Sequence, residues 1–187
     1  MGALYAVNSR VSVFFSLHPN GYSLATGGLD CQVCLWDIRK LGGKKDPLSL
    51  ATYFGGKSIN SAFFSPSGTT LVATTMNNKL DILKDFHLEK SASKGSKVQP
   101  AHSIRHDNMT GRWLTTFQAV WHPVYEIFGV GSMSKPRVVE IFAQQERTCA
   151  VGGEALTAVA SRLAFHPRTD SIILAGGNSS GRVTIVR

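Results

Sequence analysis

The feature that most constrains the fold of this chain is a short apolar segment ending in proline, which occurs four times. The copies are VFFSLHP (13–19), SAFFSP (61–66), QAVWHP (118–123) and RLAFHP (162–167). Consecutive prolines of these copies are 47, 57 and 44 residues apart. A unit that recurs every forty or so residues is typical of a β-propeller, in which each unit is a four-stranded blade. The repeat therefore predicts successive sheets of one architecture.

Each copy is followed by a turn, a second apolar strand, another turn and a third strand. The second strands are YSLATGG (22–28), TTLVATT (69–75), EIFGVGS (126–132) and SIILAGG (171–177). The third strands are QVCLWDI (32–38), KLDILKD (79–85), RVVEIFA (137–143) and RVTIVR (182–187). Outer fourth strands fit at 48–54, at about 98–106 and at 147–153, but none follows the last unit.

The chain thus divides into about four blades of a propeller that is left as a partial, open arc. The predicted units are a leading outer strand at 1–10 from an otherwise absent blade, blades at 11–54, 58–106 and 115–153, an incomplete blade at 157–187, and a basic loop at 86–112 within the second blade. A blade buries its faces only against its neighbours, so an open arc leaves two apolar faces and a sheet edge in water. This favours a piece of a longer chain over a small closed ring.

Composition agrees with an all-β globular chain. It is 43% hydrophobic and 17% charged, with 18 glycines and 7 prolines that suit many turns.

The three cysteines cannot pair completely, and the apolar start has Arg10 in its middle, so we expect a reducing interior compartment rather than secretion. No apolar stretch reaches the roughly 20 residues of a membrane span. The net charge of +8 indicates an anionic partner.

The hairpin LATGGLDCQVCLWDIR (24–39) contains a Cys-x-x-Cys pair, Cys31 and Cys34. Side chains three apart on a strand point to opposite faces, and no second Cys or His pair lies at a suitable spacing, so neither a metal site nor a redox site is expected. We interpret Cys34 as a small core residue.

The same hairpin resembles the WD repeat of substrate receptors of cullin-type ring ubiquitin ligases. In those proteins Trp-Asp-x-Arg closes the third strand, and its arginine helps to dock a propeller adaptor. The resemblance implies that Arg39, supported by Asp37, docks the ligase adaptor. The alternative is that Asp30 and Asp37 only stabilise turns and have no role in docking.

Further segments resemble the WD repeat-containing protein 76 family, which is related to the WD-repeat small subunit of the ultraviolet-damaged-DNA-binding complex. They are SINSAFFSP (58–66), TGRWLT (110–115), AVWHP (119–123), VGSM (130–133) and GGNSSGRV (176–183), and the similarity runs from about residue 18 to the end. The resemblance implies seven blades when complete, a nuclear protein of chromatin and genome maintenance, and binding to DNA that carries damaged or modified bases.

Propeller topology predicts where DNA could bind. Turns between second and third strands, and connections between blades, open on one rim. The cations found there are Lys57, Lys79, Arg112, Lys135, Arg137 and Arg182. Such an arc suits a phosphate backbone, because neutralising each phosphate releases counterions.

Trp113 is the candidate for stacking on a base. In the damage-binding relative, the corresponding loop supplies an aromatic wedge, and Gly111-Arg112-Trp113 stands in that position with different residues. The alternative is that Trp113 packs against the start of the next strand. The run 91–97 is expected to be a mobile loop.

The sequence does not indicate an enzyme, since it contains no nucleophile elbow, phosphate-binding glycine loop or paired carboxylate site. No cofactor is expected. The leading hypothesis is a nuclear DNA- or chromatin-binding propeller of the DNA damage response that is also a ligase substrate receptor. The alternatives are a protein-interaction scaffold whose basic rim meets acidic surfaces, such as those of histone-associated proteins, and a fragment without independent function.

Overall fold

The apolar segments between the turns fold into strands along the whole of the described chain. The computed structural model describes residues 12–41, 49–88, 96–111, 113–143, 146–154, 156–167 and 172–187. The strands are β1 (Ser12–Leu17), β2 (Ser23–Gly28), β3 (Gln32–Asp37), β4 (Ala51–Phe54), β5 (Ile59–Phe64), β6 (Thr70–Thr75), β7 (Lys79–Lys84), β8 (Ser96–Val98), β9 (His102–Arg105), β10 (Val120–Trp121), β11 (Ile127–Gly131), β12 (Val138–Ala143), β13 (Glu146–Gly152), β14 (Arg162–Phe165), β15 (Leu174–Gly177) and β16 (Val183–Val186). Two short 3-10 helices, Ile38–Lys40 and Phe86–Leu88, follow β3 and β7.

These strands form four sheets that follow one another along the chain. Their strand orders are β1-β2-β3-β4-β8, β5-β6-β7-β9, β10-β11-β12-β13 and β14-β15-β16. Neighbouring strands are antiparallel except β4 and β8. No α-helix occurs among the described residues. The prediction of an all-β chain built from successive sheets is confirmed. The proposed leading strand at 1–10 lies outside the described residues.

Strand β8 was not predicted. It runs parallel to β4, with Ala51 opposite Ser96 and Tyr53 opposite Val98, and adds a fifth strand to the first sheet. The expectation of a mobile loop over 91–97 is therefore wrong for Ser96 and Lys97, while 91–95 lie outside the described residues. The physical reason is that the outer edge of β4 presents unpaired backbone groups, which β8 satisfies.

Apolar side chains fill the space between each pair of consecutive sheets. The first cluster joins Val33 and Leu35 of the first sheet to Leu71 of the second. The second joins Ile82 to Phe128, and the third contains Ile141 and Leu163. Because each cluster draws on two sheets, the core is a series of layers between blades.

All four sheets have the same orientation, since equivalent turns contact one another. A ring nitrogen of His18, in the first turn of the first sheet, lies 3.1 Å from the carbonyl oxygen of Gly68, in the same turn of the second. The backbone N–H of Ser67 donates to the Glu126 carboxylate of the third sheet at 2.9 Å. At the other end of the strands, the hydroxyls of Thr115 and Ser161, which lie in the connections before the third and fourth sheets, are 2.5 Å apart.

Two rims result from this common orientation. We call one the cationic rim; it comprises the turns between second and third strands together with the described connections between sheets. The opposite rim comprises the turns between first and second strands together with the segments that follow third strands.

The two outermost faces of the series carry exposed apolar side chains. Phe15 on β1 is 63% exposed, whereas its neighbour Phe14 is buried toward the second sheet. On β16, Val183 is 71% and Ile185 is 63% exposed. These are the apolar end faces expected of an open arc. No helix in the described part of the chain is long and apolar enough to cross a membrane.

Candidate nucleic-acid interface

Three of the predicted lysines lie exposed on the cationic rim. Lys57 lies in the connection between the first two sheets, next to Gly56, whose positive φ of 77° makes the turn. Lys79 begins β7 and pairs with Thr75 across the tight turn from β6. Lys135 lies in the turn between β11 and β12. Short polar turns thus hold these ammonium groups in solvent.

Two predicted arginines on this rim are held by hydrogen bonds. Arg137 donates from Nη1 to the carbonyl oxygen of Met133 at 2.8 Å. Arg182 donates from Nη1 to the Thr157 hydroxyl at 2.9 Å, and its backbone N–H donates to the side chain of Asn178. A guanidinium has five N–H donors, so each arginine is oriented while keeping further donors for a phosphate.

The structure adds two exposed arginines to the rim. Arg105, at the end of β9, pairs with Lys79 of β7, and Arg162, at the start of β14, pairs with Gly177 of β15. Arg105 falls within the predicted basic loop at 86–112, and Arg162 is not among the cations that the sequence predicts for this rim. Both lie at strand ends, and the register of those strands places them on this rim.

Cations outnumber carboxylates on the described part of this rim. The cations are Lys57, Lys79, Arg105, Lys135, Arg137, Arg162 and Arg182, and the carboxylates are Asp30, Asp107 and Glu154. A surface with this excess attracts a polyanion and raises its association rate.

A buried asparagine fastens the connection between the second and third sheets to the rim. Asn108 donates from Nδ2 to the carbonyl oxygens of Thr75 at 2.8 Å and Lys79 at 3.0 Å. Its Oδ1 lies 2.7 Å from Nδ1 of buried His106. This clamp holds the connection against the turn that carries Lys79, and sequence reasoning missed it.

Trp113 follows this clamped connection and is 88% exposed. The alternative in which Trp113 packs against the start of the next strand is therefore wrong. An indole left in water is available for stacking, since every base has a π-face. Predicted Arg112, its neighbour, lies outside the described residues.

The predicted adaptor-docking pair lies on the opposite rim. Arg39 donates from Nε and Nη2 to the two carboxylate oxygens of Asp37, at 2.9 and 2.8 Å. Its guanidinium also lies 3.8 Å from the centre of the Tyr22 ring, a contact that sequence reasoning missed. Hydrogen bonds from Arg39 lower the pKa of Asp37 to about 2. The buried carboxylate thus fixes an arginine whose side chain is 61% exposed.

The cysteine pair is arranged as a turn residue and a strand residue. Cys31 has a positive φ of 65° in the turn before β3, whereas Cys34 is half-buried on β3. Burial raises the pKa of the Cys34 thiol, which disfavours a reactive thiolate. Within the described ranges no three His, Cys, Asp or Glu residues are grouped so that they could hold a metal ion.

Comparison with known proteins agrees with this architecture. The family model "WD domain, G-beta repeat" matches residues 8–37. WD repeat-containing protein 76 of Mus musculus is 39% identical over 186 residues, which cover 95% of this chain and 28% of that protein. The Xenopus laevis protein of the same name is 36% identical, with 96% of this chain and 30% of the relative covered.

A fungal protein is also similar. DNA damage-binding protein CMR1 of Chaetomium globosum is 33% identical over 184 residues, which cover 91% of this chain and 34% of that protein. The chain spans about a third of the length of these relatives. The WD-repeat interpretation of the fold, as part of a β-propeller, is confirmed.

Proposed function

Since this chain is homologous over about 95% of its length to WD repeat-containing protein 76, we propose that it is a DNA- or chromatin-binding WD-repeat protein of the DNA damage response, acting in the nucleus. The observation that carries the proposal is the excess of cations on one rim, contributed by all the described inter-sheet connections or turns except the first hairpin. The name of the fungal relatives, DNA damage-binding protein, supports it. The role is one of binding rather than catalysis.

On this proposal the cations contact phosphates and Trp113 contacts a base. Lysines act as point charges that follow the backbone, whereas oriented Arg137 and Arg182 can each bind a phosphate with two donors. Phosphate contacts fix position but carry no sequence information. Selection of damaged or modified bases therefore falls to Trp113, since such bases are more easily unstacked.

Charge reversal along the cationic rim tests DNA binding. In the whole protein, the combined change of Lys57, Lys135, Arg137 and Arg182 to Glu is expected to weaken duplex affinity by about 100-fold or more at low salt, because four phosphate contacts become repulsive. The slope of log affinity against log salt concentration should fall by up to about 3.6. Fluorescence anisotropy of a labelled duplex measures both.

The matched control reverses four exposed cations that lie away from the cationic rim: Lys40, Lys84, Lys97 and Arg187. Both variants have the same net charge. We expect the control to retain most of the duplex affinity. Equal weakening in the two variants, or unchanged binding by the rim variant, would contradict the proposal.

We also propose that the opposite rim docks the adaptor of a cullin-type ubiquitin ligase through Arg39. The support is the contact of this exposed guanidinium with Asp37 and with the Tyr22 ring.

The change Arg39→Ala is expected to reduce co-purification of the adaptor at least about tenfold, as for an oriented arginine at the centre of an interface. Lys40→Ala is the control, since Lys40 lies beside Arg39 but is 73% exposed. Undiminished recovery of the adaptor with a folded Arg39→Ala protein would refute this docking role.

A further inference from the structure

A cleft opens between the second and third sheets on the opposite rim. It has a volume of about 390 Å³ and combines apolar walls with charged groups at its edge. We propose that this cleft binds a peptide segment in which an arginine or lysine adjoins an apolar residue. The proposal concerns a second ligand and is independent of DNA binding.

The apolar part of the cleft is preformed. Ile82 and Phe128 line it and belong to the buried cluster between the two sheets. Trp121, half-buried, lines it as well; its Nε1 donates to the carbonyl oxygen of Phe63 at 2.8 Å, and its ring meets Phe128 edge-on at 5.0 Å. Because these contacts fix the indole, an apolar side chain could bind without reordering the wall.

The charged part of the cleft favours a cation. Exposed Asp85 and Glu126 line it from the second and third sheets, and Lys84 is the one cation among the described lining residues. Among the described residues, neither carboxylate forms an ion pair with a lysine or arginine. Two unpaired carboxylates beside an indole suit a guanidinium or ammonium group, through ion pairing and cation–π attraction.

Hydrogen bonds hold the Glu126 carboxylate and the backbone of Asp85 in place. Glu126 accepts a hydrogen bond from the backbone N–H of Ser67 at 2.9 Å. Asp85 has a positive φ of 50°, and its backbone N–H donates to the carbonyl oxygen of Thr69 at 2.7 Å. An aspartate tolerates this left-handed conformation better than most residues.

The size of the cleft favours a peptide over a free ion. Ligand pockets are typically about 300–1,000 Å³, so this cleft can take two adjacent side chains. Because the chain has a net charge of +8, its overall field repels a basic peptide. Saturable binding of such a peptide would therefore report a local acidic site.

The test uses the whole protein and a fluorescein-labelled peptide, Gly-Ser-Arg-Leu-Arg-Leu-Ser-Gly, followed by fluorescence anisotropy. The control peptide has citrulline in place of both arginines, which removes the charge and keeps the shape. The double change Asp85→Asn and Glu126→Gln is expected to weaken binding of the arginine peptide by about tenfold, with little effect on duplex affinity. Asparagine keeps the left-handed backbone, and glutamine keeps an acceptor for Ser67.

A second variant guards against an indirect effect of the double change. Thr69→Arg, at an exposed position lining the cleft, adds a like charge and should also weaken the arginine peptide. Glu154→Gln, an exposed carboxylate on the cationic rim, should not. The proposal is overturned if folded protein shows no saturable binding up to about 1 mM, if the citrulline peptide binds equally well, or if the double variant binds as the parent does.

Discussion

Phe128→Ala is expected to lower the free energy of unfolding by about 3–5 kcal/mol, the usual cost of truncating a buried phenylalanine. Phe128 is 2% exposed and lies between the second and third sheets. Its ring stacks on Phe142, with 5.0 Å between centroids and 8° between planes, and meets Trp121 edge-on. The truncation leaves a cavity in the apolar layer between these two sheets.

Urea unfolding followed by tryptophan fluorescence measures this change. Val124→Ala is the control, because Val124 is 57% exposed in a turn of the same sheet and its truncation should cost less than about 0.5 kcal/mol. If the two variants were equally stable, the packing of consecutive sheets through this layer would be wrong.

Gly131→Ala should destabilise the protein by about 3 kcal/mol, because the added methyl group has no room. Gly131 ends β11, and a Cβ built there would clash with the carbonyl oxygen of Ala160 and lie 2.9 Å from the Phe117 ring. The first of these neighbours is backbone from the connection to the fourth sheet, so it cannot simply rotate away. Sheets three and four would have to separate locally.

A thermal melt should show this loss as a fall in Tm of roughly 6–12 °C for a chain of this size. Gly153→Ala provides the matched control, since nothing lies within 4 Å of a Cβ built there. We expect its Tm to stay the same or rise slightly, because alanine restricts the unfolded chain. A Gly131→Ala protein that melts like the Gly153→Ala protein would rule out the close approach of the third sheet to residue 160.

Local sequence signals were sufficient for most of the fold. A proline follows each first strand within two residues, and glycine or a polar turn follows or ends each second strand, so the apolar residues between them predict β1, β2 and β3 within a residue or two. Strand β8 could not be predicted in this way. Three residues carry too little periodicity, and β8 exists because a distant edge, that of β4, needs backbone partners.

The propeller topology predicts which exposed cations share the cationic rim. Topology alone does not give the register of the strands, which is what places Arg105 and Arg162 at strand ends on this rim. The clamp made by Asn108 depends on a contact with Thr75, 33 residues earlier. Tyr22 reaches Arg39 only because β2 and β3 pair in this register.

The central claim is that nucleic acid binds on the cationic rim. Site-specific photo-cross-linking tests it most directly, with p-benzoylphenylalanine replacing either Trp113 or Tyr125 in the whole protein. Both are exposed aromatic residues, at 88% and 42%, but they lie on opposite rims. With a bound labelled duplex, we predict covalent DNA adducts from position 113 and none from position 125. Adducts from position 125 with none from position 113, or equal yields from both, would contradict the account.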